Sequence, residues 1–222
     1  VTVELGVRAI PVKREYGPTL GGLLSPSWQR ASRPVRALVV AVCLLVLAGA
    51  VGVVLTLEPA RYSHGGALPF SFTYKGLYRV APEAGGYVRI QSRWEHGELK
   101  YSYAVNPLTL PPYAGQANGV LPVYATGYRE RLAAGMHDFT PDGEGKTRVN
   151  QVPAYQVLYT ARVGGELMYG RNILLLPETP GARRGVEIVM LTAPGASSEV
   201  KSPSEVASGG VLLRPLKTFS FG

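Results

Sequence analysis

VNQVPAYQVLYTARVGGELMYGRNILLLPE, residues 149–178, is the stretch whose reading decides the fold. Tyr155, Val157, Tyr159 and Ala161 recur at every second position, the period of a β-strand, so Val149–Val163 reads as one strand. Gly164-Gly165 makes the turn, and Glu166–Leu176 returns as a second strand that ends in Ile173-Leu174-Leu175-Leu176. After a polar loop containing Arg183-Arg184, Val186–Thr192 repeats the pattern. Runs that are apolar on both faces belong to central strands covered on both sides. The meander therefore requires helices packed on at least one face of its sheet.

Working towards the N-terminus, Pro122–Met136 reads as a helix. Pro122 suits a first turn, and Tyr124, Tyr128, Leu132 and Met136 recur at spacings of four as one stripe. Residues 106–120, with three prolines and two glycines, read as a long surface loop. Before it, Tyr87–Ser92 and Leu99–Val105 alternate as strands around a His96-Gly97 turn. Phe70, Phe72 and Tyr74 open the domain as a strand, followed by Leu77–Val80. Towards the C-terminus, Ser202-Pro203-Ser204-Glu205 has the form of a capping box that starts a helix ending near Pro215. Thr218–Phe221 reads as a short last strand.

Val149–Glu178, with FSFTYKGLYRV at Phe70–Val80 and LLRPLKTFSF at the C-terminus, resembles the PsbP/Mog1-like family. That resemblance covers roughly 150 residues. It implies an α+β fold in which helices pack on the faces of an antiparallel sheet, an α/β/α sandwich. It also implies an accessory or binding protein rather than an enzyme. The family shares no common catalytic set, so no functional position is carried over.

Upstream of this domain lies ALVVAVCLLVLAGAVGVVLTL, residues 37–57, twenty-one positions without a charge. As a helix it reaches about 31 Å, the thickness of a bilayer's hydrocarbon core. The expected organisation is a disordered basic cytoplasmic tail (1–36), one transmembrane helix (37–57), a linker (58–69) and an extracytoplasmic α+β domain (70–222). Arg30, Arg33 and Arg36 crowd the N-terminal flank, which places that side in the cytoplasm. Ala48-Gly49-Ala50 fits an A-x-A cleavage site after Ala50. The long basic region before it and the apolar run after it favour an uncleaved signal-anchor. Ala48 and Gly52 supply the small pair that lets two such helices approach, as a homodimer through the span would need.

Charge adds little beyond topology. The net +8 divides into +4 before the span and +4 after it, an ordinary surface over 165 residues, so nucleic acid is not an expected partner. Cys43 is the only cysteine and lies in the span. The outer domain is therefore held by packing alone, as fits a bacterial envelope and the plasma membrane as location.

No catalytic constellation emerges. His64, His96 and His137 fall in linker, turn and loop without metal-ligand spacing. The acidic run Asp138–Glu144 lacks the alternating ligands of a calcium loop and reads as a turn. Gly145-Lys146-Thr147 ends like a phosphate loop, but Thr140 stands where its first glycine belongs. The expected catalytic, cofactor-binding and metal residues are therefore none, and no cofactor is implied. Trp94, Tyr113 and the Arg183-Arg184 pair remain as candidate contact surfaces. The expectation is a membrane-anchored, non-catalytic binding or accessory module with a protein partner in the envelope. Its alternatives are a lipid or small apolar ligand-binding domain and an envelope hydrolase.

Overall fold

The structure is a computed structural model that describes residues 32–222, without the side chains of residues 36, 48–57 and 117–118. The chain divides into two compact units, Val1–Glu58 and Pro59–Gly222. Most of the expected tail, the A-x-A site and the Ala48/Gly52 pair lie outside the described residues or side chains.

In the first unit, helix α1 spans Arg33–Leu57, with Pro34 in its opening turn. Pro is tolerated there because the first N–H groups of a helix have no partner in any case. Among the described residues no helix is long and apolar enough to cross a membrane.

The second unit is built on two antiparallel sheets. Strands β1 (Ala60–His64) and β2 (Phe70–Tyr74) pair with the terminal β10 (Ser220–Phe221) in the order β1-β2-β10. The larger sheet holds β3 (Tyr78–Val80), β4 (Val88–Arg93), β5 (Leu99–Thr109), β6 (His137–Val149), β7 (Val152–Val163), β8 (Glu166–Leu175) and β9 (Arg184–Thr192). Its order is β3-β4-β5-β9-β8-β7-β6, so the meander β6–β9 joins the β3–β5 meander through the β5–β9 pair. Helix α2 (Ala117–Gly135) and helix α3 (Gly210–Thr218) complete the unit.

Each face of the large sheet has its own core. Tyr103, Val105, Ile173, Ile188 and Met190 pack with Phe70, Phe72, Val206, Leu212 and Phe219, which come from the small sheet and the C-terminal segment. On the other face, Val157, Tyr159, Ala161, Met168 and Leu174 pack with Leu121, Ala125 and Tyr128 of α2. Asn172 to Leu176 are all buried, as a central strand covered on both sides must be. The expected sheet-rich α+β class with antiparallel pairing and helices holds.

Several elements differ from the sequence reading. The stretch expected to be a linker contains β1, whose Tyr62 is buried with its ring 5.4 Å from that of Phe72. A five-residue strand between Pro59 and Gly65-Gly66 offers too few alternations to be recognised. The acidic run at 138–144 is part of β6 rather than a turn. Register shifts near His137–Thr140 and Pro141–Gly143 let Pro141 and the glycines be accommodated in this edge strand. Strand β5 runs on through Pro107 to Thr109, shortening the expected loop. From Asn106 onward β5 pairs with β9 alone, and a proline is tolerated in such an edge segment. Finally, Ser202–Glu205 yields only a 3₁₀ turn at Pro203–Glu205, and α3 starts afresh at Gly210. Ala207 at φ 61° and the Gly209-Gly210 pair interrupt the helix.

Candidate functional site

Alternation along β5 and β9 sends Tyr103 and Val105 to the small-sheet side, and Ser102, Ala104 and Asn106 to the α2 side. The register sets Ala104 beside Val189, Ser102 beside Leu191 and Asn106 beside Glu187. Arg89 of β4 joins the same face opposite Ala104, and Asn172 of β8 joins it opposite Val189. Helix α2 packs over β6 and β7. The β4–β5–β9 part of that face is thereby left as the floor of a cleft of about 220 Å³. Leu132, Met136 and Val163 line it on one side and Pro82 and Glu83 on another.

Glu187 is the focus of a directional hydrogen-bond network. Tyr159 Oη donates to Asn172 Oδ1 at 3.0 Å, which fixes the amide so that its Nδ2 donates onward. Asn172 Nδ2 donates to Glu187 Oε1 at 3.1 Å and also to Tyr128 Oη. Tyr128 Oη in turn donates to Glu187 Oε1. The chain of donors thus ends at one carboxylate, and the four residues come from α2, β7, β8 and β9. A Cβ at Gly170 would overlap the Tyr159 ring, so glycine on β8 is what lets that tyrosine lie across the strand.

Burial pushes the Glu187 carboxyl above the usual carboxylate range, with a small push in the same direction from Glu83. Hydrogen bonds from Tyr128, Asn106 and Asn172 oppose this shift. The Tyr128 hydroxyl is held well above its ordinary value, first by burial and then by the Glu187 charge, and burial likewise raises Tyr159. Across the floor, Arg89 Nη1 pairs with Glu83 Oε1 at 2.9 Å, and Arg89 Nε lies 3.4 Å from Ser102 Oγ. The cleft therefore offers a guanidinium and a carboxylate over an apolar floor. Ser102 bonds to a guanidinium rather than to a base, so it has no activating partner for nucleophilic attack.

The expected contact residues do not form one surface. Trp94 lies in the β4–β5 turn, 37% exposed, with Lys100 Nζ 4.1 Å from its ring centroid. Tyr113 lies beyond the other end of the eleven-residue β5, roughly 34 Å of strand away. There its hydroxyl donates to Ala182 O at 2.7 Å, beside a groove of about 340 Å³ that includes Pro153 and Pro180. Arg183 Nε donates to Leu110 O at 3.1 Å, and Leu110 N donates to Arg183 O at 2.8 Å. These bonds brace the loop locally, and Arg183 and Arg184 remain exposed. Of the histidines, His64 stacks against Phe70 at 5.0 Å and packs at a tilt against Tyr87 at 4.4 Å, whereas His96 and His137 are exposed. Among the described residues no group of His, Cys, Asp or Glu could hold a metal ion.

Sequence reasoning missed Asn172, Glu187 and Arg89. Part of the signal was present: Glu187 is a single charge within the apolar run Val186–Leu191, and Asn172 lies directly before Ile173–Leu176.

No protein-family model matches the chain. No curated protein matches it either. Among solved structures, it is similar to the cyanobacterial PsbP (CyanoP) of Synechocystis sp. PCC 6803. Sequence identity is 17%, the match covers 74% of this chain and 93% of that one, and the TM-score is 0.46. It is also similar to a protein of unknown function from Pseudomonas aeruginosa described as a putative regulator. Here identity is 12%, coverage 63% and 85%, and the TM-score 0.34.

Proposed function

We propose that the chain is a membrane-anchored, extracytoplasmic binding or accessory module of a bacterial envelope, without catalysis of its own. Helix α1, counted with the uncharged run of sequence that continues beyond its described side chains to Leu57, would cross the plasma membrane once with its basic end in the cytoplasm, and the sheet domain would hold a protein partner close to the bilayer. One observation carries the anchor. Leu38, Leu44, Leu45, Val46 and Leu47 of α1 are 61–72% exposed, and the uncharged run continues in the sequence to Leu57. A helix that leaves such side chains open is stable only in apolar surroundings. The binding role rests on a preformed cleft whose polar groups converge with no nucleophile–base pair among them.

Affinity capture of the full chain from detergent-solubilised membranes tests the accessory role. A stoichiometric envelope protein should co-purify, and repeated recovery of the chain alone overturns it. The second reading, small-ligand binding, is favoured by the cleft itself, where Leu132, Met136, Val189 and Leu191 supply apolar wall and floor. Its volume of about 220 Å³ suits a small molecule rather than a lipid chain. A hydrolase finds no support in the pairing of Ser102 with Arg89.

A further inference from the structure

Arg89 and Glu187 stand on the same sheet face with β5 between them, and both line the one cleft. We propose that this cleft binds a small zwitterion with an apolar side chain, of the size of a free amino acid. Arg89 would receive the carboxylate, Glu187 the ammonium group, and the Ala104–Val189–Leu191 floor the apolar part.

The chemistry of each end argues for this occupant. Arg89 Nη2 has no partner among the described residues, since Nε is directed to Ser102 and Nη1 to Glu83. Glu83 is a weak competitor for the guanidinium, because its side chain is 79% exposed and such pairs contribute little. A ligand carboxylate can displace Glu83 and engage the fork of N–H groups in its place. At the other end, Tyr128 and Asn172 both donate to Glu187 Oε1. They fill two of the roughly four acceptor directions of a carboxylate, both on Oε1. Oε2 is open to a further donor, and a cationic one also offsets the cost of holding that charge under partial burial.

Single-charge ligands fit less well. A plain carboxylate would meet two acids, Glu83 and Glu187, across a small space. A plain amine would lie beside the Arg89 guanidinium with nothing to offer it. A bare metal ion is unsuited to a floor of Ala104, Val189 and Leu191. The zwitterion alone matches both charges and the apolar floor beside them. This inference goes beyond the accessory role and does not depend on the anchor or on a protein partner.

Isothermal titration of the full chain in detergent with leucine, isocaproate and isoamylamine tests it. Leucine should bind saturably. Isocaproate, which lacks the ammonium group, and isoamylamine, which lacks the carboxylate, should each bind at least about tenfold more weakly. Arg89→Gln should erase the preference for leucine over isoamylamine. Glu187→Gln should erase its preference over isocaproate. Should Glu187→Gln fail to fold, Arg89→Gln and the two analogues still decide. The proposal is overturned by the absence of saturable heat with leucine at several millimolar, or by either analogue binding as well as leucine.

Discussion

At the scale of the residue, the most consequential side chain is Glu187, which is drawn in two directions. Burial favours its neutral acid, while Tyr128, Asn106 and Asn172 donate to its charged form, and burial prevails. Its pKa is therefore higher in the folded than in the unfolded chain, and the folded state binds the extra proton. Stability from this group is fully present below the unfolded value of 4.5 and declines as pH rises through the folded pKa. Urea unfolding followed from pH 4 upward should show the wild type losing stability relative to Glu187→Gln over that window. Parallel curves for the two proteins would mean that Glu187 is not perturbed. Such a residue is half-legible in the sequence. Glu187 stands out as a charge inside an apolar run and Asn172 borders one, and period two places each on a definite face. That they meet each other and Tyr128 depends on the β8–β9 register and on the docking of α2, both set by contacts remote in sequence.

At the scale of the element, strands with clean alternation were legible and strands built for an edge were not. Strands β7, β8 and β9 follow the expected boundaries to within a few residues, because each buries apolar side chains at a period that nothing else satisfies. Strand β6 carries Asp138, Pro141, Asp142 and two glycines, the composition of a turn. Those same residues blunt an exposed edge against pairing with other chains. Helix α2 shows the complementary failure. Pro122 suggested a first turn, yet the helix begins at Ala117 and carries Pro122 inside it. A proline there withholds an N–H from the carbonyl one turn earlier and crowds it. The helix survives because Leu121, Ala125 and Tyr128 are buried against the sheet. Burial of that face outweighs local propensity. Pro122→Ala should therefore stabilise the domain by about 1–3 kcal/mol, less than the full helix-interior cost because Pro122 is itself partly buried. Chemical denaturation checks it, and an unchanged midpoint would show that α2 has already adapted to the proline.

At the scale of the molecule, the two units follow different solvent rules. In Pro59–Gly222, apolar side chains turn inward to two cores, one on each face of the large sheet. In α1 they are exposed along the described part of the helix. A domain that satisfies its own cores, contains no cysteine and forms a compact unit has the features of a fold stable without the preceding helix. The proposed anchor then predicts a clean separation of behaviours. The full chain expressed in a bacterial envelope should stay with the membrane pellet through alkaline carbonate washing and leave it only with detergent. The fragment 59–222, exported behind a cleavable signal, should appear in the soluble fraction with an unfolding transition of its own. Each outcome bears on a different step of the reasoning. Release of the full chain by carbonate would reduce α1 to a peripheral helix and remove the anchor. Aggregation of the fragment would show that residues 59–222 do not form a stable fold on their own. Retention of the chain together with solubility of the fragment is what a helix placed in lipid requires, since only there do its open leucines and valines cost nothing.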